Sequence, residues 1–273
     1  MINDPLHVLN IIKTIAAEEI MPRFERLASH EITEKSPGDL VTIADTEAER
    51  RLEAELTPLI SGSVVVGEEG VAEAPNRLLA LESDQPVWIV DPVDGTKNFA
   101  NGKSCFAVMV ALCQHQQPLA AWIYDPVNNC TIHTQAGQGV YETDNTTTTQ
   151  LHLPEDRPVN KMRGSIGPRR TKELNEQRAE GNTSIPTLIK RYRCVGREYM
   201  DLARGKLQFL RYGGNLKPWD HVPGVMIHRE LGGYDAMTHC RSPYPIPYKK
   251  HNDTILLANH LESWTKLTHI FQD

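Results

Sequence analysis

Residues 87–96 read Val87-Trp88-Ile89-Val90-Asp91-Pro92-Val93-Asp94-Gly95-Thr96. The run Val87 to Val90 is short and wholly apolar, which predicts a buried strand. Asp91-Pro92-Val93-Asp94 then predicts a tight turn, because proline presets φ and Asp, Pro and Gly are the usual turn residues. Lys97-Asn98-Phe99 predicts a helix start just beyond Gly95 and Thr96. The first N–H groups of a helix lack intrahelical partners and attract anions. A stiff turn lets both carboxylates and the Val93 carbonyl face one point beside that anion cradle. Taken alone the segment is only a turn, and its meaning depends on what surrounds it.

Two further acidic segments share the arrangement. Gly67-Glu68-Glu69-Gly70 follows the apolar run Val64 to Val66, and Trp219-Asp220 opens a helical stretch. Each is ordinary by itself, the first as a surface turn and the second as a helix cap beside a buried aromatic. Together they offer hard oxygen ligands. Magnesium takes such ligands in near-octahedral geometry and keeps water and substrate phosphate in its shell. Two ions about 4 Å apart stabilise the attacking and leaving oxygens of an in-line displacement.

Working outward, Asp4-Pro5 predicts a helix with Asp4 as its cap. Val8, Ile11, Ile12 and Ile15 follow at helical spacing, and Pro22 kinks or ends the helix. Thr33 to Gly38 predicts a mobile loop or hairpin. A second helix is expected near Asp45, with Ala48, Leu52, Leu56 and Leu59 on one face. Phe106 to Tyr141 predicts antiparallel strands, and the Thr-rich Asp144 to Gln150 an exposed loop. A lobe boundary is expected between Pro154 and Pro158. Beyond it come a strand over Arg191 to Val195, a helix, a strand over Leu207 to Tyr212, a helix from Trp219, a strand over Thr254 to Ala258, and a last helix. That helix carries Trp264, Leu267, Ile270 and Phe271 on one face. The fold class is α+β: residues 1–155 form an α+β lobe with an antiparallel sheet and most metal ligands, and residues 156–273 an α/β lobe carrying Trp219-Asp220.

Composition narrows the partners. The 273 residues are 40% hydrophobic and 23% charged, as in globular domains. No uncharged apolar run is long enough for a bilayer. Acidic residues break the first twenty positions, so no export signal is read and the cytoplasm is expected. A formal net charge of −6 offers no general attraction for nucleic acid. The five cysteines form no Cys-x-x-Cys pair, which argues against a disulfide framework or structural zinc. Asn101-Gly102-Lys103-Ser104 has the wrong glycine spacing for a nucleotide loop, and no Gly-x-Ser-x-Gly elbow is present.

Four segments then carry a resemblance over nearly the whole chain: Asp39-Leu40-Val41-Thr42-Ile43-Ala44-Asp45, Gly67-Glu68-Glu69, Asp91 to Thr96, and Trp219-Asp220-His221-Val222-Pro223-Gly224. In order and separation they resemble the inositol monophosphatase family, within the lithium-sensitive, magnesium-dependent phosphatases. The resemblance implies a layered α/β/α/β/α sandwich of the inositol monophosphatase and fructose-1,6-bisphosphatase type, a homodimer, and two or three magnesium ions. It implies Glu68, Asp91 and the Val93 carbonyl around the first ion, Asp91, Asp94 and Asp220 around the second, and Glu68 again near a weaker third. Asp45 and Thr96 resemble the pair that activates the attacking water, with Glu68 among the catalytic groups. Asp45-Thr46-Glu47 equally suits a helix N-cap, and one carboxylate oxygen cannot fill both roles. Lys35 and Asp39 fall where the family has its mobile loop.

The chain departs from that pattern before Trp219. Inositol-specific members carry a glutamate there. Here Gly213 takes the position without gaps, or Arg211 with an insertion, and an arginine favours a second anionic group. Substrate contacts are expected from Gly95, Thr96, Lys97, Arg197, Arg211, Gly213 and Lys217. The expected activity is hydrolysis of a small polyol or sugar phosphate, nominally inositol 1-phosphate. One alternative is a phosphatase for histidinol phosphate or 3′-phosphoadenosine 5′-phosphate. Another, of a different class, is a partner-binding regulatory protein. Neither nucleic acid nor a membrane is an expected partner.

Overall fold

A computed structural model of the chain describes residues 4–36, 39–245 and 253–271, without the side chains of Ser29, Ser36 and Asp39. The Asp4 carboxylate accepts the Leu6 amide at 2.9 Å and starts α1 (Pro5–Ile15), which buries Val8, Leu9, Ile11, Ile12 and Ile15. The helix widens to a π turn over Ala16–Ile20 and stops before Pro22. The polar stretch that follows is a hairpin of β1 (Ile32–Ser36) and β2 (Asp39–Thr42). The next helix, α2 (Ile43–Leu56), starts two residues earlier than expected because Thr42 is its N-cap. Leu59 lies beyond it, in a short 3-10 turn.

Among the described residues the first sheet has seven strands. They are β3 (Val64–Gly67), followed by the short α3 (Glu68–Glu73), β4 (Val87–Asp94), followed by α4 (Thr96–Ala100), then β5 (Ala107–Gln114), β6 (Gln117–Asp125), β7 (Cys130–Gln135), β8 (Val140–Thr143) and β9 (Thr148–Leu151). They lie in chain order; β3 and β4 are parallel and the rest antiparallel. Strand β9 corrects the loop expected over Asp144 to Gln150. The Asp144 carboxylate accepts the Thr146 and Thr147 amides at 2.7 and 2.8 Å, which tightens the turn. The β-branched threonines beyond it then suit an exposed edge strand.

Among the described residues the second sheet has five strands in the order β11-β10-β12-β14-β13. The chain forms β10 (Arg163–Ser165), α5 (Pro168–Ala179), β11 (Thr187–Ile189), α6 (Val195–Ala203), β12 (Phe209–Gly213), α7 (Pro218–Glu230), β13 (Tyr234–Met237), β14 (Thr254–Ala258) and α8 (Leu261–Phe271). The strand expected over Arg191 to Val195 is absent. The buried Glu198 carboxylate takes the Tyr192 amide at 2.8 Å, a donor that a strand would have used. Helix α5 gave no periodic signal because it buries only Leu174.

Three buried clusters separate the layers. Helices α1 and α2 cover one face of the seven-stranded sheet, with Trp88 and Trp122 beneath them. Helices α6 and α7 fill the space between the sheets, in one cluster with residues of both. Helices α5 and α8 cover the outer face of the five-stranded sheet. This is the expected α/β/α/β/α sandwich. The chain passes from one sheet to the other between Leu151 and Arg163, where the proposed two-lobe division at residue 155 would fall. Among the described residues, no helix is long and apolar enough to cross a membrane.

Gly224 sets the distance between the two middle helices. A Cβ there would lie 2.1 Å from the ring of Tyr199, which is fully buried. Gly224→Ala is expected to lower stability by about 1–3 kcal/mol through overpacking, despite alanine's better helix propensity. Urea unfolding measures this, and an unchanged midpoint would contradict the tight contact.

Candidate metal centre

Strand β4 aims the first carboxylate. Side chains alternate along a strand, so Trp88 and Val90 face α1 and α2 while Val87 and Ile89 face the middle layer. Asp91 continues the second set. The ladder with β5 then slips between Asp91 and Asp94, where Pro92 sits. The Val93 amide closes the turn by donating to Asp91 Oδ1 at 3.0 Å. Parallel pairing of β3 with β4 brings Glu68, the first residue of α3, alongside. Asp220 arrives from the first turn of α7. One carboxylate oxygen from each of Glu68, Asp91 and Asp220 lies within 4.8 Å of the others.

The electrostatics call for a cation. Burial, followed by the charges of Glu68, Asp94, Asp220 and Asp45, holds Asp91 well above the usual carboxylate range. The Lys35 ammonium, reaching from β1, sits 2.9 Å from Glu68 Oε1 and 3.0 Å from Glu69 Oε1. Burial works against its charge, but the two carboxylates outweigh that and raise its pKa. A positive group thus already sits against Glu68. Its donors are carboxylate oxygens, and the neighbouring imidazole of His221 is engaged at Nδ1 by the Tyr199 hydroxyl, 3.2 Å away. Such a set fits a hard divalent cation such as magnesium better than zinc.

The structure corrects the N-cap expected at Asp45. The N-cap is Thr42, and Asp45 is the third residue of the helix. Its Oδ2 accepts the Thr42 amide at 2.9 Å and the Thr42 hydroxyl at 2.5 Å. Its Oδ1 faces the Thr96 hydroxyl at 3.1 Å, which is equally close to the Val93 carbonyl. Burial pushes the Asp45 pKa up to about 7, against the pull of the Thr42 donors.

Asp94 is placed differently from expectation. Its Oδ1 accepts the Val195 amide at 3.1 Å, and its Oδ2 accepts the Gly196 amide at 2.5 Å and the Cys194 thiol at 3.1 Å. It therefore ties the end of β4 to the start of α6, where backbone donors and helix dipole favour an anion. It is not one of the three clustered carboxylates.

The expected substrate contacts scatter. Gly95 follows β4 in the left-handed conformation, φ 93°, which suits glycine. Lys97 is exposed on α4. Lys217 precedes α7, its ammonium 5.1 Å from the Trp219 ring centre. Gly213 is exposed at the end of β12. Two arginines need correction. Arg197 is paired with the buried Asp125. Arg211 shares the outer face of β12 with Phe209 and lines a separate cavity of about 480 Å³ with Arg169, Arg170 and Phe271. The residue of β12 that faces the middle layer is Tyr212, whose hydroxyl donates to Glu198 at 2.6 Å. Lys35 lies in the hairpin; the side chain of Asp39 lies outside the described residues.

Sequence reasoning missed Glu49. Its carboxylate accepts the Glu69 amide at 2.8 Å and the Gly70 amide at 2.6 Å, capping α3 from α2. A Cβ on Gly67 would lie 2.3 Å from that carboxylate carbon, which explains the glycine of Gly67-Glu68-Glu69. The available signal was a charged residue on the buried side of α2, one turn beyond Asp45.

Comparison with known proteins gives a consistent likeness. The sequence model of the inositol monophosphatase family matches residues 6–271. An inositol-1-monophosphatase of Bacillus subtilis is 27% identical over 207 residues, covering 74% of this chain and 73% of that protein. A Nus factor SuhB of Vibrio cholerae is 28% identical over 227 residues, covering 80% and 79%. The crystal structure of inositol monophosphatase II from Staphylococcus aureus superimposes with a TM-score of 0.75 at 22% identity, covering 98% of this chain and 91% of that one.

Glu49→Ala leaves two buried amides without their acceptor. It is expected to cost about 2–3 kcal/mol in urea unfolding. Calorimetric titration should also show magnesium affinity falling roughly tenfold, as for other groups that orient a ligand. Glu49→Gln should recover part of both, and unaltered magnesium binding in Glu49→Ala would show that the cap does not orient Glu68.

Proposed function

Because this chain belongs to the inositol monophosphatase family of phosphoric monoester hydrolases, we propose that it is a magnesium-dependent phosphatase for a small polyol or sugar phosphate, nominally inositol 1-phosphate. The observation that carries the reading is the convergence of Glu68, Asp91 and Asp220 within 4.8 Å, together with the Thr96–Asp45 contact. Glu68, Asp91 and Asp220 would hold magnesium, with the Val93 carbonyl and Asp94 completing sites for two or three ions. When bound, magnesium lowers the pKa of a water molecule and neutralises phosphate charge. Thr96 Oγ1 accepts a proton from the attacking water as it passes its own to Asp45 Oδ1. A carboxylate raised to about 7 suits that duty near neutral pH. Thr42 holds the other Asp45 oxygen, so the base cannot turn away. The opening amides of α4 receive phosphate oxygens. A bond forms from water to phosphorus, the ester bond breaks, the leaving alkoxide takes a proton from solvent water, and Asp45 returns its proton to solvent.

The polyol assignment draws on relatives titled inositol-1-monophosphatase. With glycine at position 213, no carboxylate from the end of β12 grips a sugar hydroxyl. Selectivity among polyol and sugar phosphates is therefore expected to be low. The readings as a histidinol phosphate or 3′-phosphoadenosine 5′-phosphate phosphatase lose support, since Arg197 is paired with Asp125 and Arg211 faces outward. A partner-binding regulatory role draws on relatives titled Nus factor SuhB. A cytoplasmic homodimer belongs to the same proposal.

Phosphate release across a panel of inositol 1-phosphate, hexose phosphates, histidinol phosphate and 3′-phosphoadenosine 5′-phosphate tests this. Turnover should require magnesium, vanish with a chelator and fall with lithium. Thr96→Ala should lower kcat by about 10²–10⁴-fold with the fold intact. No turnover of any ester would sink the substrate proposal and leave the regulatory role in its place.

A further inference from the structure

Two cysteines that the proposed chemistry does not use meet next to Asp94. Cys105 precedes β5 and is half-buried, while Cys194 is the buried N-cap of α6. The Asn98 side-chain amide clamps their segments together, donating to the carbonyls of Cys105 at 2.8 Å, Tyr192 at 2.9 Å and Arg193 at 3.2 Å. A Cβ on Gly95 would lie 3.1 Å from both the Cys105 carbonyl and Cys194 Cβ. The two thiols are close enough to interact, and Cys105 Sγ lies 4.0 Å from the carbonyl of Tyr192, two residues before Cys194. The remaining cysteines are engaged elsewhere: Cys113 in the core, Cys130 against Glu142, and Cys240 against Ser242.

We propose that Cys105 and Cys194 form an intramolecular disulfide under hydrogen peroxide, and that this bond lowers turnover at the carboxylate site. The half-buried Cys105 reacts first. Its thiolate sulfur attacks one peroxide oxygen, the O–O bond breaks, and hydroxide leaves as water with the thiol's proton. The Cys194 sulfur then attacks the sulfenic sulfur, the S–S bond forms, the S–O bond breaks, and a second water leaves with the Cys194 proton. Two thiols are oxidised and one peroxide is reduced to two waters. The consequence reaches Asp94 directly, because the Cys194 thiol that donates to its Oδ2 at 3.1 Å no longer carries a proton. Arg193, next to Cys194, already holds a left-handed φ of 57° without being glycine, so this segment has little freedom to absorb a shift of the sulfur.

The bond itself is independent of the phosphatase reading; only its effect on turnover rests on that reading. The full chain is treated with hydrogen peroxide in the presence of a chelator, its free thiols are alkylated, and its peptides are mapped by mass spectrometry. Turnover of the best ester in the panel is then assayed after magnesium is restored. A Cys105–Cys194 linked peptide is expected, with kcat down roughly tenfold, the scale of one lost charge-assisted hydrogen bond. Dithiothreitol should reverse both. Cys105→Ala should match the untreated wild-type rate and resist peroxide. Absence of the linked peptide overturns the proposal, as does the linked peptide with full turnover, or equal peroxide sensitivity in Cys105→Ala. Should Cys105→Ala fail to fold, the wild-type peptide map and its reversal by dithiothreitol decide. Should no ester be turned over, the phosphatase reading fails and the map alone decides the bond.

Discussion

Mutual repulsion among carboxylates gathered at one point is the constraint around which this molecule is arranged. Asp91 is buried, with Glu68, Asp94, Asp220 and Asp45 all raising its pKa. Bringing like charges together in a poorly solvated place is unfavourable unless a cation joins them. The scaffold holds them regardless. Glu68 is carried by the β3–β4 pairing, Asp91 by the end of β4, and Asp220 by a helix wedged between two sheets. Each element is anchored by apolar burial far from the charges. Lys35 shows the sign of the resulting field, and any ion that binds here stabilises the folded chain by mass action.

The acids around the site are sorted by the donors they find. Glu49 caps α3, Asp94 meets the start of α6, and one Asp45 oxygen closes the start of α2. Helix N-termini present amides that need acceptors, and their dipoles favour negative charge. Three carboxylates are thus held by backbone and near-neighbour donors and position the chain around the centre. Glu68, Asp91 and Asp220 converge on one another instead. The same rule explains the glycines. Gly67 and Gly196 lack a Cβ where a carboxylate approaches the backbone, 2.3 Å and 3.1 Å from where that atom would be.

Charge pairing also decides what the site does not contain. Arg197 and Arg211 both look like anion contacts in the sequence, since arginine forks suit phosphate. Arg197 instead neutralises Asp125 at the end of β6, a buried charge that would be costly alone. Arg211 is one residue out of phase with the middle layer, and a strand's period of two turns it to the outer face. Tyr212 and Glu198 occupy the inner face in its place.

The sequence by itself determined β14 from end to end, the starts of β4 and α1, the segments that carry Glu68, Asp91 and Asp220, and, by resemblance, the pairing of Thr96 with Asp45. These rest on local rules: apolar runs, proline and glycine punctuation, and carboxylates set directly after strands. Only the tertiary structure decided that Thr42 caps α2, that Asp94 meets α6, that Glu49 orients Gly67-Glu68-Glu69, and that the strand expected at Arg191 to Val195 gives way to a Glu198 hydrogen bond. The physical reason is common to all four. A carboxylate's partner is whichever donor the packed layers bring within about 3 Å, and sequence spacing does not record that distance.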